Sequence, residues 1–481
     1  MYFKNLKIIL CLIGIVIALS SCFDRQAALH QALKEAGDNS GEIIKILEYF
    51  KDDSIKLEAA QFLIENMINK FSLDHTIFYE GAIYNPNEFI ELFGDSVKSL
   101  WPYLFFANND VVFDLTTIRS EAIIYNINLA FEVRKRYWWC ANLSEKEFVE
   151  TILPYRVSNE PIDNWREFYF EKYKNMADSV AKLETSLDSV VKFFNEVMKK
   201  EYVHEAAKLG RSMHTTEINA LGGGTCIHLA VDAAHAMRAI GLPVNVDILP
   251  YHGRINGGHA YNSYTRENGE TVFFSPYERA KDRDSWTAPL VLRSVFVNEG
   301  DQYEPGFMDV TAKYYPVFCD YTFKEYKDKD CRLAIFNRGK HHTLKRSPDL
   351  KKGGGQWVVP NIMYYPVHVI GESMLFIERP FYYTEDGIKH EIRNKKSRKK
   401  EIRPILTDGT NVLSPHQGQK YELKLWTLNG WQKVGETIAK DNSSLVFENV
   451  EIDGLFLVEG KSDIEKMQRP FIMENDTRRA F

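Results

Sequence analysis

Gly222-Gly223-Gly224-Thr225-Cys226 opens a run in which Ile227, Ala230, Val231, Ala234 and Ile240 recur at helical spacing, and Gly241 followed by Pro243 closes it. The spacing predicts a helix, the glycine a left-handed cap, and the proline a residue that cannot continue the helix. Cys226 therefore stands on the first turn of a helix, behind a glycine loop. A thiolate there is favoured by the N–H groups of the first turn and by the positive end of the helix dipole. The same N–H groups, reached through Gly224 and Thr225, suit the oxyanion of a tetrahedral intermediate, and glycine lets a substrate backbone approach closely. A small buried cysteine behind a flexible turn is the competing reading of the same residues.

Downstream, Pro243-Val244-Asn245-Val246-Asp247-Ile248 reads as a strand. A glycine-rich loop follows, then Gly257-Gly258-His259-Ala260-Tyr261-Asn262-Ser263-Tyr264 as a second strand-like run, and Gly269 turns the chain into Thr271-Val272-Phe273-Phe274. A catalytic thiol needs an imidazole to take its proton and later protonate the leaving group. A helix-borne cysteine with a strand-borne histidine meets that need.

Met237-Arg238-Ala239-Ile240-Gly241-Leu242-Pro243-Val244 and Gly258-His259-Ala260-Tyr261-Asn262, together with Cys226 at a helix start, resemble the transglutaminase-like superfamily over roughly residues 220–280. The resemblance implies a papain-like core with Cys226 as nucleophile and His259 as general acid/base. Tyr261 stands where the family usually has tryptophan. Ser275 stands where the family places an aspartate, and a serine accepts a hydrogen bond without supplying negative charge to an imidazolium. Glu278 or Asp282 would substitute if the loop folds back, or Asn262 would orient the ring. The function implied is cleavage or transfer of amide or peptide acyl groups, with no metal or organic cofactor. The alternative is a domain that has lost catalysis and binds a glycan or peptide, with Trp357, Trp426 and Trp431 as stacking candidates.

The remaining sequence frames this core. Lys4 and Lys7 precede an apolar run from Ile8 to Leu19, too short for a comfortable membrane span. Leu19-Ser20-Ser21-Cys22 resembles a lipobox, so residues 1–22 are expected to be a signal peptide and Cys22 the lipidated residue. The expectation is an exported protein held at the cell envelope by its N-terminal lipid. Residues 23–203 read as a helical region, with helical spacing over Ile43–Phe50, Leu57–Ile64, 118–139 and 163–203, and capping residues at Asp52-Asp53-Ser54. Residues 204–310 form the transglutaminase-like core, 311–400 a β-rich module, and 401–481 a β-sandwich-like module in which Asn429-Gly430 signals a hairpin. The fold class is thus α+β. Leu153-Pro154-Tyr155-Arg156-Val157, Asn164-Trp165-Arg166 and Asp309-Val310-Thr311 are similar to bacterial lipoproteins with this layout.

The net charge of −6 over 481 residues argues for solubility and says nothing strong about nucleic-acid or membrane surfaces; no nucleic-acid partner is expected. The basic stretch Lys395-Lys396-Ser397-Arg398-Lys399-Lys400 reads as a solvated loop. His228, Asp232 and His235 share the polar side of the Cys226 helix and read as a solvated face, not a metal site. Cys319 and Cys331 flank a β-type run and are able to pair. Phosphate loops, dinucleotide fingerprints and nucleophile-elbow serines do not occur in the sequence.

Overall fold

The computed structural model describes residues 26–183, 185–201, 203–204, 212–276, 287–298, 305–323, 329–345, 355–407, 412–461, 468–474 and 477–481. Cys22, Glu278 and Asp282 lie outside them. The chain is mixed helix and sheet. It divides into two compact units, one of Met1–Val246, Tyr261–Glu278 and Ser294–Glu299, the other of Asp247–Ala260, Arg279–Arg293 and Gly300–Phe481.

In the first unit, α1 (Ser40–Phe50) buries Ile43, Ile46 and Phe50, and α2 (Ser54–Met67) buries Ala59, Ala60, Leu63, Ile64 and Met67. Asp53 caps α2 by accepting from the Lys56 N–H, which satisfies one of the free donors of the first turn. A three-stranded antiparallel sheet then interrupts the helices, with β1 (Phe71–Tyr79) between β2 (Ala82–Tyr84) and β3 (Phe105–Phe113). The sequence did not announce it. In β1 the buried positions include Ser72 and His75 while Leu73 is exposed, so the polarity of the alternation is inverted. His75 is tolerated inside because its Nε2 lies 2.7 Å from Glu217 Oε1.

Helices α3 (Pro86–Phe93), α4 (Ser120–Arg136), α5 (Trp165–Val180), α6 (Leu187–Glu201) and α7 (Thr215–Leu221) lead to α8 (Cys226–Ala239). Every residue of α8 from His228 to Ala239 is buried. The expected solvated face is therefore corrected: α5 packs on it, and its polar groups are satisfied inside. Asp232 accepts from Tyr169 at 2.5 Å, His235 lies 3.0 Å from Glu160 and stacks on Trp165 at 4.4 Å, and Arg238 donates to the Val244 carbonyl. The Pro154–Val157 and Asn164–Arg166 segments are knitted to each other here. Trp165 Nε1 donates to the Tyr155 carbonyl, and Arg166 donates to the carbonyls of Ile152 and Pro154.

Beyond α8, β4 (Asn245–Leu249) begins in the first unit and continues into the second, and β5 (His259–Thr265) runs from the second back into the first. Within the first unit β5 pairs with β6 (Thr271–Phe274) from Asn262↔Phe274 to Thr265↔Thr271. Within the second, β4 pairs with β7 (Leu292–Ser294) at Asp247↔Arg293 and Ile248↔Leu292.

The second unit is layered. Strand β8 (Cys331–Asn337) turns Leu333 and Ile335 into one core, with Tyr321, Val358, Tyr364 and Phe381. It turns Ala334 and Phe336 into another, with Tyr365, Val367, Trp426 and Leu457. That is the period-two alternation of a strand buried on both faces. In the C-terminal part, β9 (Lys395–Ile402) pairs with β12 (Phe447–Asp453), and β10 (Lys420–Thr427) lies in a five-stranded sheet between β11 (Gly430–Ile438) and β13 (Phe456–Glu459), followed by β14 (Phe471–Glu474) and β15 (Thr477–Ala480). Ile402, Phe447 and Val450 share a core with Tyr421, Leu423, Phe456 and Phe471.

Three local readings change. Lys395–Ile402 is a strand, not a loop: its lysines point outward and answer acidic residues of the neighbouring strand, Lys399 with Glu451 and Lys400 with Asp453. The hairpin turn is Leu428-Asn429, one position earlier than a two-residue Asn429-Gly430 turn. Thr427 pairs with Gly430, and Gly430 takes the positive φ of 88°. Trp426 is buried in the shared core and is not available to stack on a sugar. Cys331 is buried in β8, and the side chain of Cys319 is outside the described residues, as is that of Trp357. Among the described residues no helix is long and apolar enough to cross a membrane.

Candidate functional site

The chain reaches Cys226 through a tightly built turn. Gly222 caps α7 in the left-handed conformation, φ 67°, which only glycine adopts without cost. Gly223 and Gly224 then pair in parallel with Val203 and His204. Thr225 takes the extended N-cap conformation before α8. His228, one turn on, folds back onto it: its Nδ1 accepts from the Thr225 N–H at 3.2 Å and lies 3.1 Å from Thr225 Oγ1. With Nδ1 an acceptor, a neutral His228 carries its proton on Nε2. Cys226 is half-buried at the first helical position.

The glycine loop also shapes the start of α8. A Cβ on Gly224 would lie 2.9 Å from the His228 Cβ, so this glycine makes room for the imidazole that fixes the helix start. His228 is the residue that sequence reasoning passed over. Its signal was visible as a polar residue three places after a Thr N-cap, the spacing of a capping box, where glutamate or glutamine is the usual occupant.

Asn262 is fully buried on β5, and its Nδ2 donates to the carbonyls of Ala230 in α8 at 2.7 Å and Asn245 in β4 at 3.2 Å. Its amide nitrogen is committed to holding the Cys226 helix against the strands. Ser275 follows the last paired residue of β6 and is buried. Gly224, Thr225, Cys226, Asn262 and Ser275 thus belong to the first unit, and His259 to the second.

His259 has its own surroundings. The loop before it is held from afar by one side chain. Asn337 Nδ2 donates to the carbonyls of His252, Ile255 and Gly257, and its Oδ1 accepts from the Gly257 N–H at 2.9 Å. Arg469, fully buried, donates to the carbonyls of Gly253 at 2.6 Å, Phe336 at 2.5 Å and Phe481 at 2.7 Å. Burial pulls the Arg469 guanidinium down to about 10. Gly258 has no room for a side chain, since a Cβ there would sit 2.5 Å from the Leu249 carbonyl oxygen. His252 lies beside His259 with ring centroids 6.0 Å apart. Asn337 and Arg469 were not singled out in the sequence, because nothing local connects them to a loop 80 to 216 positions away. In the same unit Arg293 forms a two-pronged ion pair with Asp247, at 2.8 Å on both oxygens.

No group of three or more metal-ligating side chains is found among the described residues.

No family model matches the chain, and no curated protein matches it. Among solved structures, LapG of Legionella pneumophila in an EGTA-treated form is similar at 13% identity and a TM-score of 0.23, over 38% of this chain and 93% of that one. Red sea bream transglutaminase is similar at 10% identity and a TM-score of 0.23, over 85% of this chain and 77% of that one. Likeness at this level does not establish a shared fold.

Proposed function

We propose that the chain is a thiol-dependent acyl-transfer or hydrolytic enzyme of transglutaminase-like type. Cys226 attacks the carbonyl of an amide or peptide bond, and His259 takes the thiol proton and returns it to the leaving amine. The carbonyl carbon gains the sulfur and loses the amine, and water or a second nucleophile then releases the acyl group. The observation that carries this reading is the placement of Cys226: half-exposed, at the first position of a buried helix whose start is fixed by the Thr225–His228 contact and the Gly222–Gly224 turn. That placement supplies the helix-terminal field a thiolate needs. Ser275 and Asn262 supply no negative charge. The imidazolium therefore lacks a neighbouring carboxylate from these two positions, and a slow enzyme is expected.

The substrate is a peptide, a protein or a glycan-linked amide. The N-terminal segment would deliver the chain to the cell envelope, with lipid on Cys22. Cys22→Ser is expected to move the protein from the membrane to the soluble fraction.

The deciding experiment is alkylation of Cys226 by iodoacetamide across pH in wild type, Cys226→Ala and His259→Ala. An activated thiol is labelled at neutral pH at least tenfold faster than a free cysteine, and loses that advantage in His259→Ala. Equal rates in wild type and His259→Ala would sink the catalytic reading and leave a peptide- or glycan-binding role for the same chain.

A further inference from the structure

A cavity of about 500 Å³ opens in the first unit, bounded by Ile90 of α3, Asp95, Asp163, Phe168 of α5, and Asn219 and Ala220 of α7. Its volume is that of a small-molecule site, and no residue of the glycine loop or of α8 lines it. Its walls are mainly apolar, and Phe168 is among the exposed large hydrophobic side chains.

The charge at its wall is unbalanced. Asp163 Oδ2 accepts from the Thr215 N–H at 2.8 Å and Oδ1 from the Trp165 N–H at 3.1 Å, which leaves a lone pair on each oxygen. Among the described residues Asp163 forms no ion pair, and neither lysine nor arginine lines the cavity; Asp95, the other charged residue of the lining, is also acidic. Burial opposes the charge on Asp163, and the neighbouring His235 and His214 imidazoles favour it. A second cavity of about 330 Å³ shares the Asp163-Asn164 pair and is also lined by Asp74, Arg119 and His214. Asp163 thus presents a carboxylate, held by main-chain N–H groups, to an apolar cavity whose lining holds no lysine or arginine.

We propose that the 500 Å³ cavity binds a small organic cation, a protonated amine on an apolar body, with the ammonium on Asp163 and the body against Ile90, Phe168 and Ala220. Asp163 and Asp95 together exclude an anion. This site does not depend on the chemistry of Cys226.

The test is calorimetric titration of the full chain with phenethylamine, 2-phenylethanol and 3-phenylpropanoate, which share a ring and differ in charge. The amine is expected to bind at least tenfold more tightly than the alcohol, and the carboxylate not at all. Asp163→Asn is expected to weaken the amine at least tenfold. Because Asp163 also ties Thr215 and Trp165, it is paired with Ala220→Leu, which fills the cavity and leaves the carboxylate in place. That variant should melt within a few degrees of wild type and lose amine binding. Equal binding of amine and alcohol, amine binding retained in Ala220→Leu, or no binding of phenethylamine at millimolar concentration would each overturn the proposal.

Discussion

At Gly224 and Gly241 the missing side chain is what the neighbours require. A methyl group on Gly224 would press on the His228 ring, and the ring would yield at the expense of its contact with Thr225. Gly224→Ala is therefore expected to slow iodoacetamide labelling of Cys226 several-fold while leaving most of the fold, with a loss of roughly 1–3 kcal/mol measured in urea. Gly241 carries two demands. Its φ is 79°, and a Cβ would meet Cys140 Cβ at 2.8 Å. Gly241→Ala should cost more than Gly224→Ala. The double variant Cys140→Gly with Gly241→Ala should recover the part due to the clash and none of the part due to φ. A fully additive pair would show that the contact with Cys140 is immaterial.

Among the elements, α7 and α8 are held by buried histidine–carboxylate pairs, and these set an acid limit. Burial alone would raise Glu160, but the hydrogen bond and charge of His235, the charge of Arg156 and the Val157 N–H outweigh it and bring the carboxyl to about 2, from an ordinary 4.5. A carboxylate depressed on folding adds stability above the unfolded value and loses it as pH falls. The window runs from about 4.5 down to about 2 and corresponds to roughly 3 kcal/mol. His214 acts at the other end. Burial opposes its charge, yet the contact with Asp74 and the charges of Glu217 and Asp163 raise it above 6.5, so its contribution is present below 6.5 and fades as pH rises through the folded value. Urea midpoints of wild type should fall between pH 5 and 3, and Glu160→Gln should flatten that fall. The loop before His259 depends on β8 in the same way. Asn337→Ala strips three carbonyls and one N–H of their partner, at about 1–3 kcal/mol for a buried polar group left alone. Hydrogen exchange at the Gly257 amide should accelerate at least tenfold, and an unchanged rate would mean that Arg469 alone holds the loop.

Across the molecule, the second unit closes on its last residues. Phe471 enters one core, and Ile472 and Phe481 the next, while Arg469 joins the 250s loop to β8. Burial of three such side chains is worth about 5–9 kcal/mol, against a typical domain stability of about 5–15 kcal/mol. Removing residues 468–481 should therefore leave the second unit loosely packed, with dye binding to exposed apolar surface and loss of amide protection over 251–258. A truncated chain with wild-type protection there would refute the role given to Arg469.

What the sequence determined by itself was local. The α8 helix with Cys226 at its start, the caps at Asp53 and Gly241, the β5–β6 hairpin and the alternating strands near the C-terminus all follow from periodicity, capping and turn chemistry, which act over a few residues. Tertiary structure alone decided which polar residues are inside. His228, Asp232 and His235 look like a solvated face until α5 covers them. Ser72 and His75 hide a strand until Arg156 and Glu217 satisfy them, and Lys395–Lys400 looks like a loop until β12 supplies acids opposite. Burial of a polar side chain depends on a partner far away in the chain, and such partners, like Asn337 and Arg469 for the loop before His259, leave no pattern at short range.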